Sequence, residues 1–314
     1  MNTAAQYNSS ALAQAIEGAH ITGQPWSVGA AYRYCEQIAR SHYENFPVGS
    51  VLVPKPLRKH FCSIYAFARI ADDFADEGYD GSHSLDERLR LLERWRALLI
   101  DAFQGQAAHP VFIALAETCA QFDLPRELFE DLLSAFTQDV TVRRYESFDD
   151  LMAYCRRSAN PIGRLILLLF GYSEDRLCKW SDSVCTALQL TNHWQDVGID
   201  LEKDRIYIPI EDLTRFALTV EDLQSRRSGE GFRRLMQFEL ERTRELFEAG
   251  KPLCISVSGR LGLELRAVWL GGTRILDGIE KNRYDVFRRR PKIAFGDKLT
   301  ILASAMRKDI FRRR

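Results

Sequence analysis

Tyr65-Ala66-Phe67-Ala68-Arg69-Ile70-Ala71-Asp72-Asp73-Phe74-Ala75-Asp76 is the stretch on which the reading of this chain turns. On a helix, Tyr65, Arg69, Asp72 and Asp76 step by four, three and four and so share one face. Asp72 and Asp76 then project side by side, about 6 Å apart. Most of the intervening positions are Ala, Phe and Ile. A polar stripe embedded in so apolar a helix must face a cavity, a partner or solvent.

A second stretch repeats the design. In Gln189-Leu190-Thr191-Asn192-His193-Trp194-Gln195-Asp196-Val197-Gly198-Ile199-Asp200, the residues Gln189, Asn192, Asp196 and Asp200 again fall on one helical face. Carboxylates at this spacing repel one another by a few tenths of a kcal/mol. Two such rows make sense if hard cations sit against them. Magnesium takes oxygen ligands, keeps part of its water, and is commonly held by a few carboxylates together with phosphate oxygens. Two facing rows would clamp a diphosphate through bridging metal ions, with Asn192 and Gln189 on the second row's face. Arg69, Lys203 and Arg205 would complete the clamp, guanidinium being well shaped for phosphate oxygens. The plainer reading of one Asp-x-x-x-Asp row is a solvated helix face; a second row within apolar sequence weakens that reading. Asp73 is one position off the stripe and is placed to pair with Arg69. His193 reads as a packed or hydrogen-bonded histidine, since no second His or Cys stands at ligand spacing.

Outward from these rows the texture stays helical. Leu85, Leu89, Leu92, Trp95, Leu99 and Phe103 make one apolar stripe, and Ser84 followed by Glu87 reads as a capping box at its start. Pro110, Pro125 and Pro161 stand near the first turns of periodic runs, where proline is tolerated. The spacing predicts helices over 28–44, 55–77, 84–104, 109–123, 125–140, 147–170 (interrupted at Pro161), 173–200, 219–250, 253–282 and 292–312. Only Arg205-Ile206-Tyr207-Ile208-Pro209 looks extended. With no repeat and no linker-like composition, the expectation is a single all-α domain over 28–290. Residues 1–27 form a polar, poorly ordered lead segment, and 291–314 a basic C-terminal helix.

Composition narrows the class further. The 314 residues carry 43 Lys+Arg against 43 Asp+Glu and are 46% hydrophobic, which excludes a disordered, collagen-like or disulfide-stapled chain. Zero net charge gives no reason to expect nucleic acid. Seven cysteines, none spaced Cys-x-x-Cys, read as reduced and mostly buried. No signal peptide is visible, and the longest apolar run, Leu165 to Phe170, is far short of the roughly 20 residues that span a bilayer. A cytoplasmic protein is expected. From Lys281 to Arg314, however, 12 basic residues meet only 3 acidic ones. Within that tail, Leu299, Ile301, Leu302, Met306, Ile310 and Phe311 alternate with Lys and Arg. A basic amphipathic helix of this kind either lies on an anionic membrane surface or packs on the domain with a solvated end.

Taken together, these blocks resemble the squalene/phytoene synthase family of all-α prenyl-diphosphate enzymes. The resemblance spans roughly residues 30 to 290 and rests on Ser41–Val48, Ile64–Asp76, Tyr154–Arg164, Gln189–Asp200 and Asp204–Pro209. It implies a helical isoprenoid-synthase bundle around a central cavity. Asp72, Asp76, Asp196 and Asp200 match the family's metal- and diphosphate-binding aspartates, Arg69 its diphosphate-side arginine, and Tyr154 its tyrosine before a cysteine. Within the family, Glu44-Asn45-Phe46-Pro47-Val48 and Ser158-Ala159-Asn160-Pro161-Ile162-Gly163-Arg164 are most similar to the bacterial hydroxysqualene synthases of hopanoid pathways. Phytoene and ordinary squalene synthases usually show Ser-Phe in the first place and Val-Ala-Gly in the second. Asn192-His193 and Ile199 also depart from the commoner text, pointing to an enzyme that starts from presqualene diphosphate.

The resemblance therefore implies magnesium-assisted departure of diphosphate, rearrangement of the cation and capture by one water, giving hydroxysqualene. Tyr154, Asn160 and His193 are candidates to hold that water. Tyr65, Phe67 and Phe170 offer aromatic faces to the cation, with core packing the plain alternative for each ring. Head-to-head condensation of farnesyl diphosphate, phytoene synthesis and a non-catalytic isoprenoid-binding relative are the competing readings. Implied partners are the lipid diphosphate, other enzymes of the squalene pathway and the inner face of the plasma membrane.

Overall fold

Fifteen helices carry the described chain, and among the described residues there is no strand. The computed structural model describes residues 26–41, 53–76, 84–307 and 309–312. The expected N-terminal segment up to residue 25 and the Glu44–Val48 text lie outside those residues. Two compact units divide the chain, Met1–Thr141 and Val142–Arg314.

The first unit contains α1 (Val28–Ser41), α2 (Lys55–Asp76), α3 (Leu85–Phe103), α4 (Pro110–Phe122) and α5 (Arg126–Thr141). Ser84 caps α3, its hydroxyl accepting from the Glu87 N–H at 3.2 Å. The stripe of α3 buries its middle, Leu92, Trp95 and Leu99, while its ends, Leu85 and Phe103, stay exposed. Trp95 meets Phe67 of α2 and Phe112 of α4, with ring centroids 6.2 Å and 4.5 Å away. Phe129 of α5 closes edge-on to Phe67 at 5.3 Å. All four rings are fully buried, and each such burial stabilises by roughly 1.5–3 kcal/mol. Phe67 is thus a core residue, the plain alternative among the readings of that ring.

The second unit comprises α6 (Phe148–Ser158), α7 (Asn160–Leu169), α8 (Asp175–Glu202), α9 (Ile210–Arg215), α10 (Val220–Gln224), α11 (Glu230–Gly250), α12 (Leu253–Ser256), α13 (Gly259–Lys281), α14 (Phe295–Ala305) and α15 (Asp309–Arg312). The long α8 is its spine, packed against α7, α11 and α13. Trp194 of α8 is fully buried and donates its indole N–H to Thr243 of α11 at 2.8 Å. Gly250 ends α11 where a Cβ would come within 2.5 Å of Val184 Cγ2 and 2.8 Å of the Trp180 carbonyl. Only glycine permits that approach.

Several boundaries differ from the periodicity, each for a local reason. The expected 219–250 helix breaks after Gln224, where Arg226 turns left-handed at φ 52° and a short loop leads to Gly229. The expected 253–282 helix breaks at Val257, extended at ψ 136°. Residues 292–312 form two helices, not one. Helix α9 has no counterpart in the periodicity, although Pro209 followed by Glu211 and Asp212 is an N-terminal signal. The extended reading of 205–209 has a counterpart: Ile206 N–H donates to the Arg143 carbonyl and Ile210 N–H to the Tyr145 carbonyl, both at 2.9 Å. The C-terminal helices pack on α13, as Arg266 donates to the Ala305 carbonyl and Phe311 meets the Trp269 ring at 5.5 Å.

Candidate active site

Each aspartate row occupies the last turns of its helix: Asp72 and Asp76 end α2, and Asp196 and Asp200 approach the end of α8. A helix C-terminus already carries about half a negative charge, so an acid there costs about 0.3–1 kcal/mol instead of stabilising. Neither row is placed for helix stability. Each draws a cation.

In the first unit the cations are arginines close at hand. Arg69 donates to Asp72 at 3.4 Å and more closely to Asp73, which takes up the off-stripe pairing that its spacing suggested. Burial acts to lower the Arg69 pKa, but Asp73 and Asp72 outweigh it and hold the guanidinium charged. Arg69 Nε is buried without a hydrogen-bond partner. Arg88, buried on α3, donates to the carbonyls of Phe74 and Ala75 and so closes the α2 end that bears Asp76. Tyr65, half-buried beside this row, has its pKa raised by burial, so it stays a neutral phenol. The Asp72 side chain is 41% exposed, which leaves the row open to a further ligand.

In the second unit the cation comes from far along the chain. Arg290 grips Asp196 with two bonds, Nε to Oδ1 and Nη2 to Oδ2, the second at 2.8 Å. That bidentate bond is the first cause of a raised Arg290 pKa. No helical spacing marks Arg290; its signal in the sequence is the excess of basic residues after Lys281. Asn192 is exposed on the row's face. Gln189 meets the imidazole of buried His193, Nε2 to Nε2 at 3.3 Å.

His193 is part of an aromatic cluster. Its ring stacks on Tyr207 with centroids 3.6 Å apart, and Tyr154 lies 6.1 Å from it. Tyr145 stacks on the other tyrosine, Tyr207, at 5.7 Å. Burial, then the charge of Arg205, lowers the His193 pKa to about 3, so the imidazole is neutral across the physiological range. His193, Val197, Asp200, Arg205, Tyr207 and Ile208 line one small pocket. Arg205 itself is buried, and its N–H donates to the Asp200 carbonyl at 2.8 Å. Lys203 caps α8, its carbonyl accepting from Arg143 at 3.3 Å.

The Ser158–Arg164 text forms a seam between α7 and α8. Asn160 Oδ1 accepts from Thr186 at 2.9 Å, inside the fold. A Cβ on Gly163 would stand 2.4 Å from Ser181 Oγ and 2.5 Å from Cys185 Sγ. Arg164 holds Asp182 through two bonds of 2.9 and 2.6 Å. Asn160 is therefore an anchor of this seam.

The donor sets suit magnesium. Each row offers a pair of partly exposed carboxylates, and among the described residues no three His, Cys, Asp or Glu side chains group as a self-sufficient metal site. A few carboxylates completed by water and phosphate oxygens is the usual magnesium arrangement.

The helical scaffold carries two aspartate rows, each with an arginine in attendance, and comparison with known proteins places it in a class of isoprenoid-diphosphate enzymes. The profile of the squalene/phytoene synthase family matches residues 39–297, and the chain belongs to that family. It is 31% identical over 292 residues to the 15-cis-phytoene synthase of Synechococcus elongatus, covering 89% of this chain and 94% of the relative. It is 36% identical over 238 residues to the hydroxysqualene synthase of Rhodopseudomonas palustris, covering 74% and 78%. A crystal structure of a squalene synthase from Alicyclobacillus acidocaldarius superposes with a TM-score of 0.78 at 39% identity, covering 86% of this chain and 99% of the other. Family members are prenyltransferase-like enzymes, generally dependent on a divalent metal.

Proposed function

We propose that this protein converts presqualene diphosphate and water to hydroxysqualene and diphosphate. The observation that carries the reading is His193, a buried neutral imidazole stacked on Tyr207 and sharing a pocket with Asp200. A neutral imidazole beside an aspartate row can accept a hydrogen bond from a water and so hold it in the pocket. The similarity to a hydroxysqualene synthase supports the same reading.

In this reaction the carbon–oxygen bond to diphosphate breaks, and its electron pair leaves with the diphosphate. The cyclopropylcarbinyl cation rearranges, and a water oxygen forms the new carbon–oxygen bond while its proton passes to the diphosphate. Magnesium, when bound, supplies Lewis-acid stabilisation of the departing charge; Asp72, Asp76, Asp196 and Asp200, with Asn192, are the residues that would hold it. Arg69 and Arg290 neutralise the rows beforehand and, with Lys203, Arg205 and Gln189, supply donors for phosphate oxygens. Tyr154, Tyr207 and His193 hold the water and offer ring faces to the cation. Tyr65, beside the first row, offers a ring face. Asn160 contributes by fixing α7 against α8.

The test is incubation with presqualene diphosphate and magnesium, without reduced nicotinamide. Hydroxysqualene and diphosphate in equal amounts are expected, and a chelator abolishes both. Product formed only from farnesyl or geranylgeranyl diphosphate would establish the second reading, head-to-head condensation, which the broader coverage by phytoene synthases favours. Substrate binding without diphosphate release would make the chain a non-catalytic relative.

Substrate and product are both lipids, which gives the exposed stripe of α14 a partner. Leu299, Leu302 and Met306 are 59%, 45% and 65% exposed at helical spacing, with Lys298 and Arg307 exposed beside them. Among the described residues, no helix is long and apolar enough to cross a membrane. The stripe suits peripheral contact with an anionic bilayer. Sedimentation with anionic but not zwitterionic vesicles, lost on Leu302→Glu, is the expected outcome.

A further inference from the structure

Two buried acids in the second unit share a single base. Asp212 of α9 is 4% exposed and Glu239 of α11 is fully buried, while the Arg242 side chain is 14% exposed. Arg242 donates through Nη2 to Asp212 Oδ2 and through Nε to Glu239 Oε2, both at 2.7 Å. Its guanidinium lies 3.5 Å over the Phe148 ring and 4.9 Å from Phe238, so the surroundings are apolar. Glu239 Oε1 has no hydrogen-bond partner at all. Two carboxylates against one guanidinium would leave a net buried negative charge, which is strongly unfavourable when unpaired. Protonating one acid removes that cost.

We infer that Glu239 is held as a neutral carboxylic acid and that Asp212, Glu239 and Arg242 form a positioning device for Arg205 and Tyr207. The link to the site is direct. Asp212 belongs to α9, which begins immediately after the segment bearing Arg205 and Tyr207. That segment is anchored on its other side by the bonds from Ile206 and Ile210 to the 143–145 backbone. Arg242 ties α9 to α11, and Thr243, next along α11, receives the Trp194 indole from α8. The cluster thus fixes the strip whose Tyr207 stacks on His193.

The charged groups acting on Glu239 are Arg242 from its own helix and Asp212 from α9, and the Phe148 ring of α6 lies against the Arg242 guanidinium. Burial is the largest influence and pushes the Glu239 pKa up to about 8, with Arg242 opposing and Asp212 adding to the rise. A folded pKa raised above the unfolded value means that the associated stability is full below about 4.5 and is lost as pH rises through about 8.

The placement of Arg205 and Tyr207 in the machinery rests on the proposed function; the proton on Glu239 does not. Two readouts keep those failures apart. In infrared difference spectra of wild type against Glu239→Gln at neutral pH, the carbonyl band of a protonated carboxyl is expected in the wild type only. Melting temperature against pH is expected to fall for the wild type between about pH 4.5 and 8, relative to Glu239→Gln. With diphosphate substrate, kcat/KM of the wild type falls as pH passes about 8, while Glu239→Gln lacks that limb and keeps its neutral-pH turnover. Absence of the carboxyl band together with superimposable melting profiles overturns the proton assignment. A shared alkaline limb in both proteins overturns the positioning role, and inactivity of the wild type on every prenyl diphosphate counts against the proposed function alone.

Discussion

The two aspartate rows solve the same electrostatic problem with arginines from opposite sequence distances. On α2 the partner of Asp72 and Asp73 is Arg69, three and four residues upstream on the same helix. On α8 the partner of Asp196 is Arg290, 94 residues downstream. A local pair follows from helical spacing and survives any rearrangement that leaves the helix intact. A remote pair exists only when the second unit is folded. An i,i+4 pair is worth about 0.3–0.5 kcal/mol on a helix surface, so Arg69 can exchange a carboxylate for a phosphate at little cost.

The largest effect expected from breaking this comparison falls on the carboxylates themselves. Asp72→Asn and Asp196→Asn should each reduce turnover by at least about a hundredfold, since each removes charge from the place where the departing diphosphate is stabilised. Far-ultraviolet circular dichroism should stay unchanged, because both substitutions relieve an unfavourable charge at a helix C-terminus. Normal turnover in either variant would remove that row from the mechanism.

Next in size is Arg290→Ala. Asp196 then loses its bidentate partner, and turnover should fall by roughly tenfold to a hundredfold, with inhibition by added inorganic diphosphate weakened in parallel. If Arg290 serves only to neutralise Asp196, the inhibition constant for diphosphate stays where it is, and the remote arginine becomes structural.

The same asymmetry separates what is legible in the amino-acid order from what is not. The rows, Ser84, the Asp73–Arg69 pair and the helical class all depend on neighbours within four residues, and periodicity reports such neighbours. Arg290, Arg88 and the Asp212–Arg242 pair depend on contacts 13 or more residues away, which no helical spacing encodes; within the Asp212–Glu239–Arg242 cluster only Glu239–Arg242, three residues apart, follows the helix period. The Ser158–Arg164 text is distinctive as text, but its role as a seam is not legible there, because Gly163 and Asn160 take their meaning from Ser181, Cys185 and Thr186 on another helix. Boundaries after residue 219 fail for a related reason. A left-handed residue such as Arg226 carries no compositional mark.

That seam yields the third expectation. In Gly163→Ala the new methyl meets the Ser181 hydroxyl and the Cys185 thiol at distances below 3 Å, so α7 must shift away from α8. A destabilisation of about 1–3 kcal/mol is expected, read as a lower denaturation midpoint at unchanged m-value. Gly163→Ala with Ser181→Ala and Cys185→Ala should recover part of the loss. No recovery would locate the strain elsewhere.

The smallest effects concern two histidines, one in each unit, that burial holds neutral. His60 lies within a buried network with Tyr32 and Thr118 at 3.1 and 3.0 Å, and burial, then Lys59, lowers its pKa to about 4. His193 is lowered to about 3. In the unfolded chain both take up a proton near pH 6.5, so the unfolded state binds more protons below that point. Stability is accordingly full above pH 6.5 and declines as pH falls toward about 4 and about 3. His60→Gln should flatten part of that acid decline without touching turnover at neutral pH. His193→Gln should flatten it as well but also lower the hydroxysqualene yield, because only this histidine adjoins the second aspartate row. Equal effects of the two variants on product would mean that the imidazole beside Tyr207 is a packing group, leaving the tyrosines to hold the water.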